Sequence, residues 1–256
     1  MEALAPEIRI VKDPEELTRA AAGEMVRCAK ESVARQGRFT VALAGGNTPL
    51  GLYEMLATQP TFRTLLPWGK SHFFWGDERH VPLDHAESHF RKAQTAMFSR
   101  VSVPPENIHR IPAENPEAAA AAAEYENVLR QFFALKPEKF PRFDLTILGM
   151  GPDGHIAALF PRSDALTIRD RFAVATHYDK LGTDWITLTL PVLNNAATVM
   201  FLASGKEKAE ILREVLRRVE RPPKNVERIP AELVRPVNGR LLWIVDQEAA
   251  GLLPNR

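Results

Sequence analysis

Short apolar runs, each stopped by glycine or a charged cluster and followed by an amphipathic stretch, recur through this sequence. That alternation restricts the fold more than any other feature. It requires an α/β architecture, a mostly parallel β-sheet flanked by helices on both faces. A helix near residues 14–36 precedes the buried strand Phe39–Leu43, which stops at Gly45-Gly46. Thr48-Pro49 opens a helix through about Ala57, with Thr48 as its cap. His72–Trp75 reads as a strand ending in Gly76-Asp77-Glu78-Arg79, and Ser88–Phe98 as a helix. Asn115-Pro116-Glu117 starts a helix through the alanine run Ala118–Ala123, because Tyr125, Val128, Leu129, Phe132 and Phe133 continue it at helical spacing. Phe143–Leu148 is the next strand; the loop Gly149–His155 follows, and another helix starts there. Phe172–Thr176, Trp185–Leu190, Thr198–Ala203 and Leu241–Val245 are strands, and Lys206–Arg218 is a helix. The proline-bearing stretch Arg221–Arg228 is a surface loop.

No repeat and no composition break marks a linker, so residues 1–256 read as a single domain. Lys plus Arg is 33 and Asp plus Glu is 32, which leaves no electrostatic footprint of a nucleic-acid binder. A few placed cations still suffice to hold an anionic metabolite. The lone cysteine, Cys28, cannot form an internal disulfide and reads as a small core side chain on a helix. The N-terminus has no apolar signal core, and no run approaches the ~18 apolar residues of a membrane span. The expectation is a soluble cytoplasmic protein, a monomer or small homo-oligomer, with neither nucleic-acid nor membrane partners.

Ligands of open α/β sheets bind outside the carboxyl ends of the strands. Three strands here end in unusual sequence, AGGNTP, WGDERHVP and GMGPDGH, and a fourth ends in Ser204-Gly205-Lys206. In Gly45-Gly46-Asn47-Thr48 the glycines let the backbone approach a ligand, and the helix behind aims free N–H groups at it, which suits a phosphate. A plain strand-to-helix turn would look the same. Gly149, Gly151 and Gly154 formally match a dinucleotide fingerprint. Asp153 inside the turn would repel a pyrophosphate, and the motif sits mid-chain, so a nicotinamide site is rejected.

What remains on that loop is an acid and an imidazole, Asp153 and His155. A helix N-terminus would keep His155 neutral and able to accept a proton. The other six histidines have weaker contexts; His85 and His89 are at helical spacing, but no further ligand set supports a metal site. Asp77 and Arg79 could orient a sugar or its phosphate, or belong to a surface ion network. Lys206 begins a helix, where the dipole disfavours a cation, so an anionic partner is expected for it.

Together, WGDERHVPLDHAES, FDLTILGMGPDGHIAALFP, WITLTLPVLNNAATVMFLASGKEKA and ELVRPVNGRLLWIVD resemble the 6-phosphogluconolactonase family, over about residues 39–250. The superfamily includes glucosamine-6-phosphate deaminases, which share the GxDGH loop; the LFP ending resembles the lactonases. The resemblance implies a deaminase-like, Rossmann-related sheet. It implies hydrolysis of 6-phosphoglucono-δ-lactone to 6-phosphogluconate in the oxidative pentose phosphate pathway, with no metal or organic cofactor. His155 falls on the family's catalytic histidine, Gly45, Gly46, Thr48 and Lys206 on phosphate-binding positions, and Asp77, Arg79 and Asp153 on site-lining ones. With the loop glycines Gly151 and Gly154 and with Asn47, these are the candidate site residues.

The chain departs from the family pattern at five positions. Ala44 and Asn47 replace two hydroxyl residues, Trp185 stands where Arg is frequent, His89 replaces a frequent Asn, and Ala158 a frequent Ser. Either Lys180 or Arg162 compensates for a weakened phosphate grip, or the substrate preference has shifted. The expected chemistry is His155 as general base on water, Asp153 orienting the imidazole or shaping its loop, and Arg79 or backbone N–H groups holding the oxyanion. The rival readings are a sugar-phosphate deaminase/isomerase and a non-catalytic sugar-phosphate binding protein.

Overall fold

The computed structural model describes residues 6–178, 182–221, 223 and 226–254. Strand β1 (Glu7–Val11) leads to helix α1 (Pro14–Gln36). Asp13 caps α1 by accepting from the Glu16 N–H at 2.9 Å, Pro14 occupies its first turn, and Gly37 ends it at φ +80° with its N–H on Val33 O. Then come β2 (Phe39–Leu43), α2 (Asn47–Thr58), α3 (Pro60–Leu65), β3 (Ser71–Trp75), β4 (Asp77–Arg79), α4 (His89–Ala96), β5 (Ile108–His109) and α5 (Ala118–Phe132). The second half holds β6 (Leu145–Leu148), β7 (Ala173–Tyr178), β8 (Thr183–Leu188), α6 (Leu190–Asn194), β9 (Thr198–Ala203), α7 (Ala209–Glu220) and β10 (Arg240–Asp246).

Seven strands form one sheet in the order β1-β10-β9-β6-β2-β3-β5, every pair of neighbours parallel. All residues of β2, β6 and β9 are buried. Since successive side chains point to opposite faces, both faces of the sheet are covered, as a parallel sheet needs. From β2 the chain builds β3 and β5 outward on one side; β6 then returns to the other side of β2. The crevice beyond β2 and β6 is therefore a topological switch point, where ligands of such sheets bind. Cys28 lies in the core on α1, its thiol pushed up to about 12 by burial and the neighbouring Glu24 carboxylate.

The fold differs from the sequence expectation in several places. Asp77-Glu78-Arg79 is a strand rather than a loop, part of a separate antiparallel sheet β4-β8-β7. Gly76 joins the two sheets, donating to Leu43 O and accepting from the Leu188 N–H, both at 2.8 Å. Strand β1 was not anticipated. Thr48 is not the cap of α2: Gly46, at φ +90°, holds that place, and Asn47, Thr48 and Pro49 form the first turn. Proline is tolerated there because a first-turn residue has no helical acceptor for its N–H. Asn115 does not cap α5; it lies three residues before the helix and accepts from the Glu117 N–H.

The helix expected after His155 does not form. Gly151 N–H donates to His155 O at 2.9 Å, Ile156 bridges Leu159, and Ala157 and Arg162 sit at positive φ. Two left-handed residues in six break any helical run. Lys206 likewise opens a short 3₁₀ turn, Lys206–Lys208, and α7 starts only at Ala209.

Candidate active site

A cleft of about 440 Å³ opens at the carboxyl ends of β2, β3, β6 and β9, at the switch point. The segments that follow those strands converge there: Gly45, Gly46, Asn47 and Thr48 after β2, Asp77 and Arg79 after β3, Gly151 and His155 after β6, and Ser204 and Lys208 after β9.

His155 is held by Asp153 behind it. Its Nδ1 lies 2.6 Å from Asp153 Oδ1, and its main-chain N–H donates to the same oxygen at 3.1 Å. Tyr178 OH donates to Oδ2 at 3.2 Å. Burial opposes ionisation of Asp153, but the His155 imidazole and its N–H groups, with Tyr178, outweigh it and hold the carboxyl well below the usual range. A carboxylate facing Nδ1 assigns the proton to Nδ1 and leaves the Nε2 lone pair free for the cleft. This pairing, and not a helix start, sets the tautomer and orientation of His155. The turn is tight enough to fix its glycines. A Cβ on Gly151 would stand 2.1 Å from two ring atoms of His155. Gly154, at φ +80°, packs against Ile229 and Ile211 and supports the loop instead of lining the cleft.

Beside this pair lies a second imidazole and carboxylate. Asp77 is buried, and burial raises its carboxyl, against the opposing pull of His89, His155 and Arg79. His89 Nδ1 sits 3.2 Å from Asp77 O and 3.5 Å from Asp77 Oδ2. The His89 ring lies flat against Gly45, where a Cβ would meet three of its atoms at 2.1–2.4 Å. Trp185, opposite Arg79 across the β4–β8 ladder, packs on the His89 ring at 5.7 Å and carries the Arg79 guanidinium 4.5 Å above its own ring. Arg79 also pairs with Glu87 at 2.9 Å, and Glu87 with Lys92 at 3.2 Å, so one exposed carboxylate bridges two cleft cations. Glu78 is structural: its carboxylate accepts from the main-chain N–H groups of His89 and Phe90, both at 2.7 Å.

On the β9 side, buried Asp246 pins the turn, accepting from Ser204 Oγ at 2.5 Å and the Gly205 N–H at 3.1 Å. The lysine facing the cleft from this turn is Lys208; Lys206 is exposed and makes no ion pair among the described residues. The sequence argument from the helix start thus selected a neighbour of the residue that reaches the cleft, because the helix begins three residues later. Arg162 points away and forms a two-pronged pair with Glu227 at 2.8–2.9 Å. Lys180 lies outside the described residues. His85 Nδ1 accepts from the Glu87 N–H at 3.2 Å, whereas His89 Nδ1 is directed at Asp77.

Sequence reasoning therefore placed His155, Asp77, Arg79, Gly45, Gly46, Asn47, Thr48 and Gly151 around one cleft, and the structure brings them together there, with Asp153 behind His155. It missed Tyr178, Glu87, Lys92, Lys208 and Asp246. Asp246 was within reach, being an acid at the end of a buried strand, as Asp77 is. Tyr178 gave no local signal, since its contact with Asp153 spans the two sheets.

A family model described as glucosamine-6-phosphate isomerases/6-phosphogluconolactonase matches residues 12–243. The chain is 39% identical over 246 residues to a 6-phosphogluconolactonase of Synechocystis sp., covering 96% of this chain and 98% of the relative. A 6-phosphogluconolactonase of Nostoc sp. is 42% identical over 222 residues, 87% of this chain and 88% of that one. The crystal structure of 6-phosphogluconolactonase from Thermotoga maritima superposes with a TM-score of 0.77 at 34% identity, covering 94% of this chain and 99% of that one. Switch-point cleft, GxDGH turn and full-length similarity agree: this chain belongs to the glucosamine-6-phosphate isomerase/6-phosphogluconolactonase family.

Proposed function

We propose that this protein hydrolyses 6-phosphoglucono-δ-lactone to 6-phosphogluconate, the lactone-opening step of the oxidative pentose phosphate pathway. The observation that carries the reading is the Asp153–His155 pair on the turn after β6, 2.6 Å apart, with one ring nitrogen left for the cleft. His155 Nε2 takes a proton from water as its oxygen bonds to the lactone carbonyl. Asp153 holds the ring in the required tautomer and stabilises the imidazolium that forms. Arg79, fixed over Trp185, faces the developing oxyanion. The free N–H groups at the start of α2, with Thr48 and Lys208, form the anion end of the cleft and take the phosphate. Every step uses side chains of this chain and needs no cofactor.

In this reading residues 1–256 act as one domain, because the four segments that build the site all follow strands of one sheet and Gly76 ties the small sheet to it. The protein works in the cytoplasm on a small phosphorylated lactone, as a monomer or small homo-oligomer, without nucleic acid. Among the described residues no helix is long and apolar enough to cross a membrane. His155→Ala should lower kcat by roughly 10²–10⁴-fold while the protein stays folded. A folded variant with near wild-type kcat removes His155 from the mechanism. Product binding without turnover in the unaltered protein would instead make it a sugar-phosphate binding protein.

A further inference from the structure

The cleft holds two imidazole–carboxylate pairs, and the mechanism above uses one. His89 projects from the start of α4, with Ser88 as the helix cap, and is 7% exposed. Its Nδ1 is directed at Asp77, through both the main-chain oxygen and Oδ2. That leaves Nε2, which has no hydrogen-bond partner among the described residues, as the nitrogen available to a ligand in the cleft that His89 lines. Three surfaces fix the ring: the Gly45 backbone, which has no side chain to hold it off, the Trp185 indole, and Asp77. Both pairs serve one place, because Asp77, His89 and His155 all line the same cleft.

Opening a lactone needs two proton movements. Attack by water requires a base. Departure of the ring oxygen, a poor leaving group as an alkoxide, requires an acid. We infer that His89, oriented by Asp77, is a second catalytic residue and protonates the ring oxygen as it leaves. This inference rests on the lactonase reading. The step balances as follows. His155 has taken one proton from water, and the tetrahedral oxyanion collapses to a carboxyl group. The acyl carbon–ring oxygen bond breaks, its electron pair stays on the ring oxygen, and the His89 Nε2 proton moves there to form a hydroxyl. His155 then releases its proton to solvent, and His89 regains one. The charged and titratable groups around the His89 ring are Asp77, Glu78 and Arg79 on β4, Glu87 just before its own helix and Lys92 on it, and His155 in the same cleft.

The test compares the natural lactone with its ring-sulfur analogue, whose thiolate leaves without a proton. Steady-state rates are measured for the unaltered protein, His89→Gln, His89→Asn and His155→Ala, with product binding and near-UV circular dichroism checking the fold. Loss of a general acid should lower kcat on the lactone about 10²-fold or more in both His89 variants, and by less than about threefold on the thiolactone. The alkaline fall in the lactone pH profile should disappear with it. His155→Ala should damage both substrates. A His89→Gln protein as active as the unaltered one would overturn the inference, since glutamine hydrogen-bonds but donates no proton in this range. Equal losses on both substrates would overturn it too and make His89 a positioning residue. If the unaltered protein opens neither substrate, the lactonase reading itself fails.

Discussion

Gly151→Ala is a one-carbon change that should separate activity from stability. The added Cβ would stand 2.1 Å from Cε1 and Nδ1 of His155 and 2.8 Å from Asp153 Oδ1. Ordinary contact begins near 3.4 Å, so the ring must retreat by about 1.3 Å, from 2.1 Å to 3.4 Å. That retreat breaks the 2.6 Å bond to Asp153, the contact that fixes the tautomer. Misplacing a catalytic group by about 1 Å costs roughly 10²-fold, and loss of the orienting carboxylate in a comparable triad costs about 10⁴-fold. The expected fall in kcat is therefore between about 10²- and 10⁴-fold. The fold should suffer little. Gly151 is not at positive φ, and the His155 side chain is 30% exposed, so it can swing into the cleft. Destabilisation should stay below the ~1–3 kcal/mol of an overpacked core. The assay is lactone-dependent acid release beside a thermal melt. A Gly151→Ala protein with an unchanged melt and unchanged kcat would refute the claim that the Asp153–His155 contact matters to the chemistry.

Two further outcomes follow from the same structure. Lys208→Ala should reduce kcat/KM for the phosphorylated lactone by about 10–150-fold, the usual cost of one charge-assisted contact, with much less effect on gluconolactone, while Lys206→Ala changes neither; equal effects of the two lysines would contradict the cleft assignment. At the far edge of the sheet, burial and the adjacent His72 push the His109 imidazole down to about 4. Above pH ~6.5 both folded and unfolded states are neutral; below it the unfolded chain binds a proton that the folded chain refuses, so stability falls between pH ~6.5 and ~4. Discounted for partial exposure, the loss is about 1–2 kcal/mol. His109→Phe should flatten that part of the stability–pH curve in urea melts, and an unchanged slope would show that His109 is not its source.

The parallel sheet and the cleft were legible in the sequence because the strands that build them are short apolar runs with unmistakable ends, from Phe39–Leu43 to Thr198–Ala203. The small sheet was not, because pairing of Asp77–Arg79 with Thr183–Leu188 joins segments about a hundred residues apart and leaves no local pattern. Ile156-Ala157-Ala158-Leu159-Phe160 has helical composition, yet Ala157 at φ +46° ends that possibility, and Phe160 packs instead against Tyr178 and Trp185, contacts with the small sheet that leave no local pattern. The Lys206 expectation failed by two residues for a related reason. A 3₁₀ turn and an α-helix start alike in sequence, but they present different side chains to the same cleft.

The central claim is lactone hydrolysis by the Asp153–His155 pair, and acid release from freshly prepared 6-phosphogluconolactone, corrected for spontaneous opening, tests it most directly. The account predicts acceleration by the unaltered protein, collapse of that acceleration in folded His155→Ala, and no ammonia from glucosamine 6-phosphate. A rate no greater than the spontaneous one, with ammonia released from the amino sugar, would contradict it and make the same cleft that of a deaminase.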